Sequence, residues 1–222
     1  MSEIKNFDTG IPIESGIKII NLDPKENILN KKKIRNILKK ISESNLDDLS
    51  HNIKNAYHEN AEIYAFHPVN ELKGVDEIID TLWKPLIYSF PDLERRDNLI
   101  IGGSFQNRVY VSTVGHLTGT FAHPWLGVPS NGKTIHLRIC EVHQIENEKI
   151  INSHILIDIM DFIRQAGFWP VNPSLGIEEM WPGPITGDGT TFENLDSNLS
   201  ATTLDQGLTM QRSLNIKPET EV

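Results

Sequence analysis

This 222-residue sequence predicts an α+β fold in which helices lie on one face of a strongly curved, mainly antiparallel sheet. Three observations carry that prediction. Apolar residues recur at helical spacing from Ile34 to Trp83. From Leu93 onward the period drops to two, in four separate segments. Three of those segments follow one another with turns or modest loops between them, which suits antiparallel neighbours. Helices laid across a curved sheet enclose a cone open at one end, a natural pocket for a small molecule.

The elements follow in order. Residues 1–30 are polar, lack sustained periodicity and carry Gly10, Pro12, Gly16 and Pro24, so they read as an arm with one short strand at Ile17–Ile20. Ile34, Ile37, Leu38 and Ile41, then Leu46, Leu49, Ile53, Ala56 and Tyr57, predict one or two helices broken near Ser42–Asn45. Ala61–Phe66 reads as a short strand, followed by a turn at His67–Asn70. After Gly74, the residues Val75, Ile78, Ile79, Leu82 and Trp83 share a helical face, and Pro85 is expected to kink or end that helix. Strands are predicted at Leu93–Ile101, Arg108–Thr118, Thr134–Ile145 and Lys149–Ile159. Beyond Pro170 the chain turns rich in Pro, Gly, Asn, Ser and Thr, with one short helix expected over Leu204–Leu214 and docking contacts from Trp181 and Phe192. The organisation is therefore an arm (1–30), a cone domain (31–170) and an extended tail (171–222).

Composition limits the function classes. A net charge of −9 and a pI near 5.3 argue against nucleic acid and against an anionic membrane as partners. Six basic residues between Lys31 and Lys40 read as a solvated helix face, because no aromatic residues interleave with them. The single cysteine, Cys140, excludes an intramolecular disulfide and reads as a buried inert thiol. No run of about 18 apolar residues is present, so no membrane span is expected. With no secretory signal visible at the start, cytoplasmic location is expected by default. No HxH, HExxH, P-loop or GxGxxG pattern appears, so neither metal nor nucleotide cofactor is predicted.

The residues suited to chemistry lie on the strands. Alternation puts Asn152, His154, Leu156 and Asp158 on one face of the last strand. In the same way His136, Arg138, Cys140 and Val142 share a face, opposite Ile135, Leu137, Ile139, Glu141 and His143. Ser112, Val114, His116 and Thr118 share another. If these strands are neighbours, one side gathers His116, Arg138, His154 and Asp158, a set suited to acid–base work inside an apolar cone. Asp158 has a plainer reading as well, as the cap of the helical turn that follows it.

The order of these segments resembles a known family. The features are Thr118-Gly119 followed by WLGVPSNGK, the R-x-x-E-x-H-x-I-E strand at 138–146, and D-x-x-x-x-x-R-Q-x-G at 158–167. Upstream, PVNELKGVDEIID at 68–80 and FPDLERR at 90–96 fit the same pattern. Residues 35–170 thus resemble the SnoaL-like polyketide cyclases, or ester cyclases, of the nuclear transport factor 2-like superfamily. The resemblance implies a cone that holds a small apolar organic ligand, and aldol-type proton transfer without metal or cofactor. It implies that Asp158 is the general acid/base; His116, His136, Arg138, His154, Trp83 and Tyr57 are the candidate residues expected around the ligand. It also implies departures: relatives often carry tryptophan at the position of His154 and a second acid at that of Ile155. A homodimer formed through an exposed sheet face is a further expectation. Two other readings of the same cone are a non-catalytic binding module and a hydrolase or dehydratase.

Overall fold

The computed structural model describes residues 24–105, 107–169, 172, 187–190, 192 and 197–214. Helix α1, Pro24–Ser42, begins seven residues before the predicted start, and α2 covers Leu46–Ala56. The break between them is chemical. Ser42 and Ser44 return their hydroxyls to the carbonyls of Leu38 (2.8 Å) and Lys40 (2.6 Å), competing with the helical ladder. Asn45 then caps α2 by accepting from the Asp48 amide at 2.8 Å.

Strand β1, Tyr57–Ala65, pairs with the short β2, Glu71–Lys73. A continuous helical stretch follows: α3 (Val75–Glu77), a π-helical segment (Ile78–Trp83) and α4 (Lys84–Ser89). Pro85 does not end it. The Lys84 amide reaches back to Ile79, and this wider turn seats the proline at the start of α4. The remaining strands are β3 (Glu94–Phe105), β4 (Arg108–Thr120), β5 (Thr134–Glu146) and β6 (Lys149–Ile157). β3 runs four residues past its predicted end and takes in Gly102-Gly103. β6 stops one residue short of Asp158. The sheet order is β2-β1-β6-β5-β4-β3, antiparallel except for the parallel β1–β6 pair.

The helices cover one face of this curved, unclosed sheet, and the core lies between. Ile34, Leu38, Ile41, Leu49 and Ile53 come down from α1 and α2 onto Ile63, Val111, Leu117, Leu137 and Ile155. Phe90, Phe121, Trp125 and Phe162 form a tight aromatic group with centroids 5.0–6.3 Å apart. Phe162 enters it from helix α5, Ile159–Gln165. In the tail, a 3-10 turn at Gly187–Thr190 packs on β3, and α6 spans Ser197–Leu214, seven residues earlier in onset than expected. The Phe192 ring sits under Lys31, Lys32 and Arg35, so part of the basic α1 face is covered. The expected strand at 17–20 and the docking of Trp181 lie outside the described residues. Among the described residues, no helix is long and apolar enough to cross a membrane.

Candidate active site inside the cone

Alternation along β5 decides which groups the helices cover. Ile135, Leu137 and Ile139 point into the core, so Glu141 and His143, on the same face, are carried in with them. Both are 0% exposed. A buried carboxylate needs partners, and the neighbouring strands supply them. Arg95 of β3 donates from Nη2 to Glu141 Oε2 and to Thr113 Oγ1 (2.8 Å), and from Nε to Asp97 Oδ1 (2.8 Å). Thr113 donates to the same Glu141 oxygen at 3.1 Å. Arg35 of α1 approaches Asp97 from outside, at 3.6 Å.

His143 continues the chain inward. Its Nδ1 is 2.8 Å from Ser153 Oγ, and its Nε2 lies 3.8 Å from Glu141 Oε2. Tyr57, at the start of β1, brings its hydroxyl beside Ser153, Trp83 and the Glu141 charge. Trp83, the last residue of the π segment, approaches the Tyr57 hydroxyl from the helix layer. Five buried polar atoms here lack a hydrogen-bond partner within the chain: Tyr57 Oη, Trp83 Nε1, Arg95 Nη1, Glu141 Oε1 and His143 Nε2. Interiors rarely leave such groups without a close partner, and five of them fall on one constellation.

The electrostatics follow from the packing. Burial would raise the Glu141 carboxyl, but the Arg95 charge and His143 outweigh it and bring it down to about 2. Burial would lower Arg95, and the carboxylates of Glu141 and Asp97 more than reverse that. Tyr57 is pushed well up by burial and then by the Glu141 charge, so its hydroxyl keeps its proton. Among the described residues, no three His, Cys, Asp or Glu groups converge to hold a metal ion.

The residues singled out from sequence divide between the two faces. Tyr57 and Trp83 belong to the interior array. His116, His136, Arg138 and His154 do share one side, as alternation predicts, but it is the side away from α1, α2 and the π segment, not the interior of a cone. His116 and Arg138 are cross-strand partners, as are His136 and Thr118, whose side chains are 3.0 Å apart. His154 stacks on Tyr64 at 5.1 Å. Burial, then the charges of His136 and Arg138, lower the pKa of His116. Asp158 is no strand residue: it caps α5, accepting from the Asp161 amide at 2.9 Å, and pairs with Arg138 at 2.6 Å. It borders a shallow groove of about 240 Å3 with Val114, Cys140 and Leu156. Cys140 is half-buried on this outer side instead of fully enclosed, and burial raises its pKa.

Sequence reasoning placed Glu141 and His143 on the face opposite these residues and attached no chemistry to them. The signal was present. Two polar residues continuing the apolar series Ile135, Leu137, Ile139 are polar residues inside the core. Arg95 gave no such sign, because it stands beside Arg96 in the predicted strand Leu93–Ile101 and alternation alone does not say which of the two is covered.

A helix layer over a curved, unclosed six-stranded sheet, with a polar array between them, defines the α+β cone class of nuclear transport factor 2-like proteins. The chain belongs to the SnoaL-like polyketide cyclase family, whose model matches residues 35–166. Among solved structures, IdmH of Streptomyces antibioticus, described as a candidate polyketide cyclase, is similar at 15% identity and a TM-score of 0.50, covering 66% of this chain and 99% of that one. A candidate SnoaL-like polyketide cyclase from Jannaschia sp. CCS1 is 17% identical with a TM-score of 0.48, covering 60% and 89%. AclR of Streptomyces galilaeus, described as a candidate hydroxylase, is 20% identical with a TM-score of 0.47, covering 61% and 96%. No protein of curated function matches the sequence.

Proposed function

We propose that this protein binds a small carbonyl compound between helices and sheet and moves a proton alpha to the carbonyl, with His143 as the acid/base group. The observation that carries this reading is the set of five unpaired polar atoms around Tyr57, Trp83, Arg95, Glu141 and His143. Their chemistry is complementary. Tyr57 and Trp83 offer hydrogen-bond donors to the carbonyl oxygen, where negative charge develops as an enolate forms. His143 Nε2 accepts the proton, while Ser153 at Nδ1 fixes the ring. Glu141 stays ionised, positions Arg95 and favours the imidazolium that forms in the transition state. The family pattern expects a second acid at Ile155. Glu141 is the direct cross-strand partner of Ile155, so the neighbouring strand brings a carboxylate close to that interior position.

A second reading keeps the family position, Asp158, as acid/base at the outer groove. The roughly 240 Å3 groove beside Asp158 and Arg138 favours it. Hydrogen–deuterium exchange at the alpha carbon of a neutral ketone such as cyclohexanone, followed by NMR in D2O, separates the two. Wild type and Asp158→Asn are expected to accelerate exchange and His143→Ala to lose that acceleration. The opposite pattern moves the chemistry to Asp158. No acceleration by wild type favours the binding-module reading.

A further inference from the structure

We infer that the ligand reaches this interior array through the groove beside the start of β1, and that Tyr57 is the wall between the two. The inference rests on the interior site proposed above. The groove, about 670 Å3, lies between the end of α2, the start of β1 and the first turn of α3. Tyr57 lines it, and the hydroxyl of the same side chain stands beside Ser153 and Trp83 in the array. One residue therefore borders the groove and belongs to the array.

The sheet explains why the passage falls here. Over the outer groove, β4, β5 and β6 are paired without a break from Val114 through Cys140 to Leu156, so no ligand can cross from that side. The β1–β6 pairing is interrupted instead. Tyr57 pairs with Ile150, pairing resumes only at Glu62 with Asn152, and the residues between form a bulge with His58, Glu59 and Asn60 exposed. The groove also bears on ligand class. Tyr57 and Val75 provide an apolar floor, and the rim charges of Lys54, Lys73 and Lys149 are matched by Glu59, Asp76 and Glu77. Such a groove suits the neutral, amphiphilic remainder of a molecule whose carbonyl end sits in the array.

Blocking the groove tests this. In the full chain carrying Cys140→Ser, Glu59→Cys is labelled with a bulky maleimide. Leu156→Cys, on the outer groove, is labelled in the same way as the control. The readout is the shift of the Trp83 indole N–H resonance on adding cyclohexanone. The label at residue 59 is expected to abolish the shift and the label at 156 to leave it intact. His58→Cys, also exposed on the rim, gives a second blocking position should the first label disturb folding. A shift that survives both rim labels, or that is lost with the label at 156, overturns the route. Failure of the unlabelled protein to show any Trp83 shift removes the interior site, and the route with it.

Discussion

At the scale of single residues, Glu141 sets the behaviour of the interior. Its folded pKa is depressed to about 2, below the ordinary carboxylate value, so its stabilising contribution is fully present above pH ~4.5 and is lost as pH falls towards 2. Glu141→Gln is expected to cost about 3 kcal/mol at neutral pH, since it removes one carboxylate from a buried guanidinium, and to flatten the acid limb of stability. Urea unfolding across that pH range measures both. Tyr57→Phe should behave oppositely. The hydroxyl makes no close hydrogen bond to its neighbours Ser153 and Trp83, so stability should change little while the Trp83 response to ketone weakens. Asp158 is tested by a pair of variants. Alanine removes the cap of α5 and should cost about 1 kcal/mol, whereas asparagine keeps the cap and should cost less.

At the scale of elements, β3 and β4 meet at a point that admits no side chain. A Cβ on Gly115 would lie 2.2 Å from the Arg96 carbonyl oxygen and 2.9 Å from the Asp97 Cα, where a bulge between Asp97 and Leu99 shifts the register. Arg95 and Asp97 flank that contact. Gly115→Ala should therefore cost roughly 1–3 kcal/mol through displaced backbone, visible as a lower Tm, and should loosen the ion array as well. Helix α1, the strand periods and the break at Ser42–Asn45 were legible, because each rests on local pattern or side-chain competition. The π segment was not. Nothing in the spacing of Val75, Ile78, Ile79, Leu82 and Trp83 separates a π turn from an α turn, and only the seating of Pro85 reveals it.

At the scale of the whole molecule, the sequence carried the fold class and the strand alternation, but not which face of the sheet the helices choose. That choice is a tertiary fact, set by the apolar sides of α1, α2 and the π segment together. It turns His116, His136, Arg138 and His154 outward and Glu141 and His143 inward. Motif resemblance made Asp158 the acid/base candidate because D-x-x-x-x-x-R-Q-x-G ends the matched region; the plainer reading of the same residue, as the cap of the following turn, is the one the α5 geometry shows. The proposed function puts ligand chemistry at the interior array and not at the outer groove. Two resonances decide it: the indole N–H of Trp83 and the backbone amide of Leu156, followed by NMR as cyclohexanone is added to the full chain. Trp83 is expected to shift and Leu156 to stay in place. Movement of Leu156 with Trp83 unchanged would contradict it.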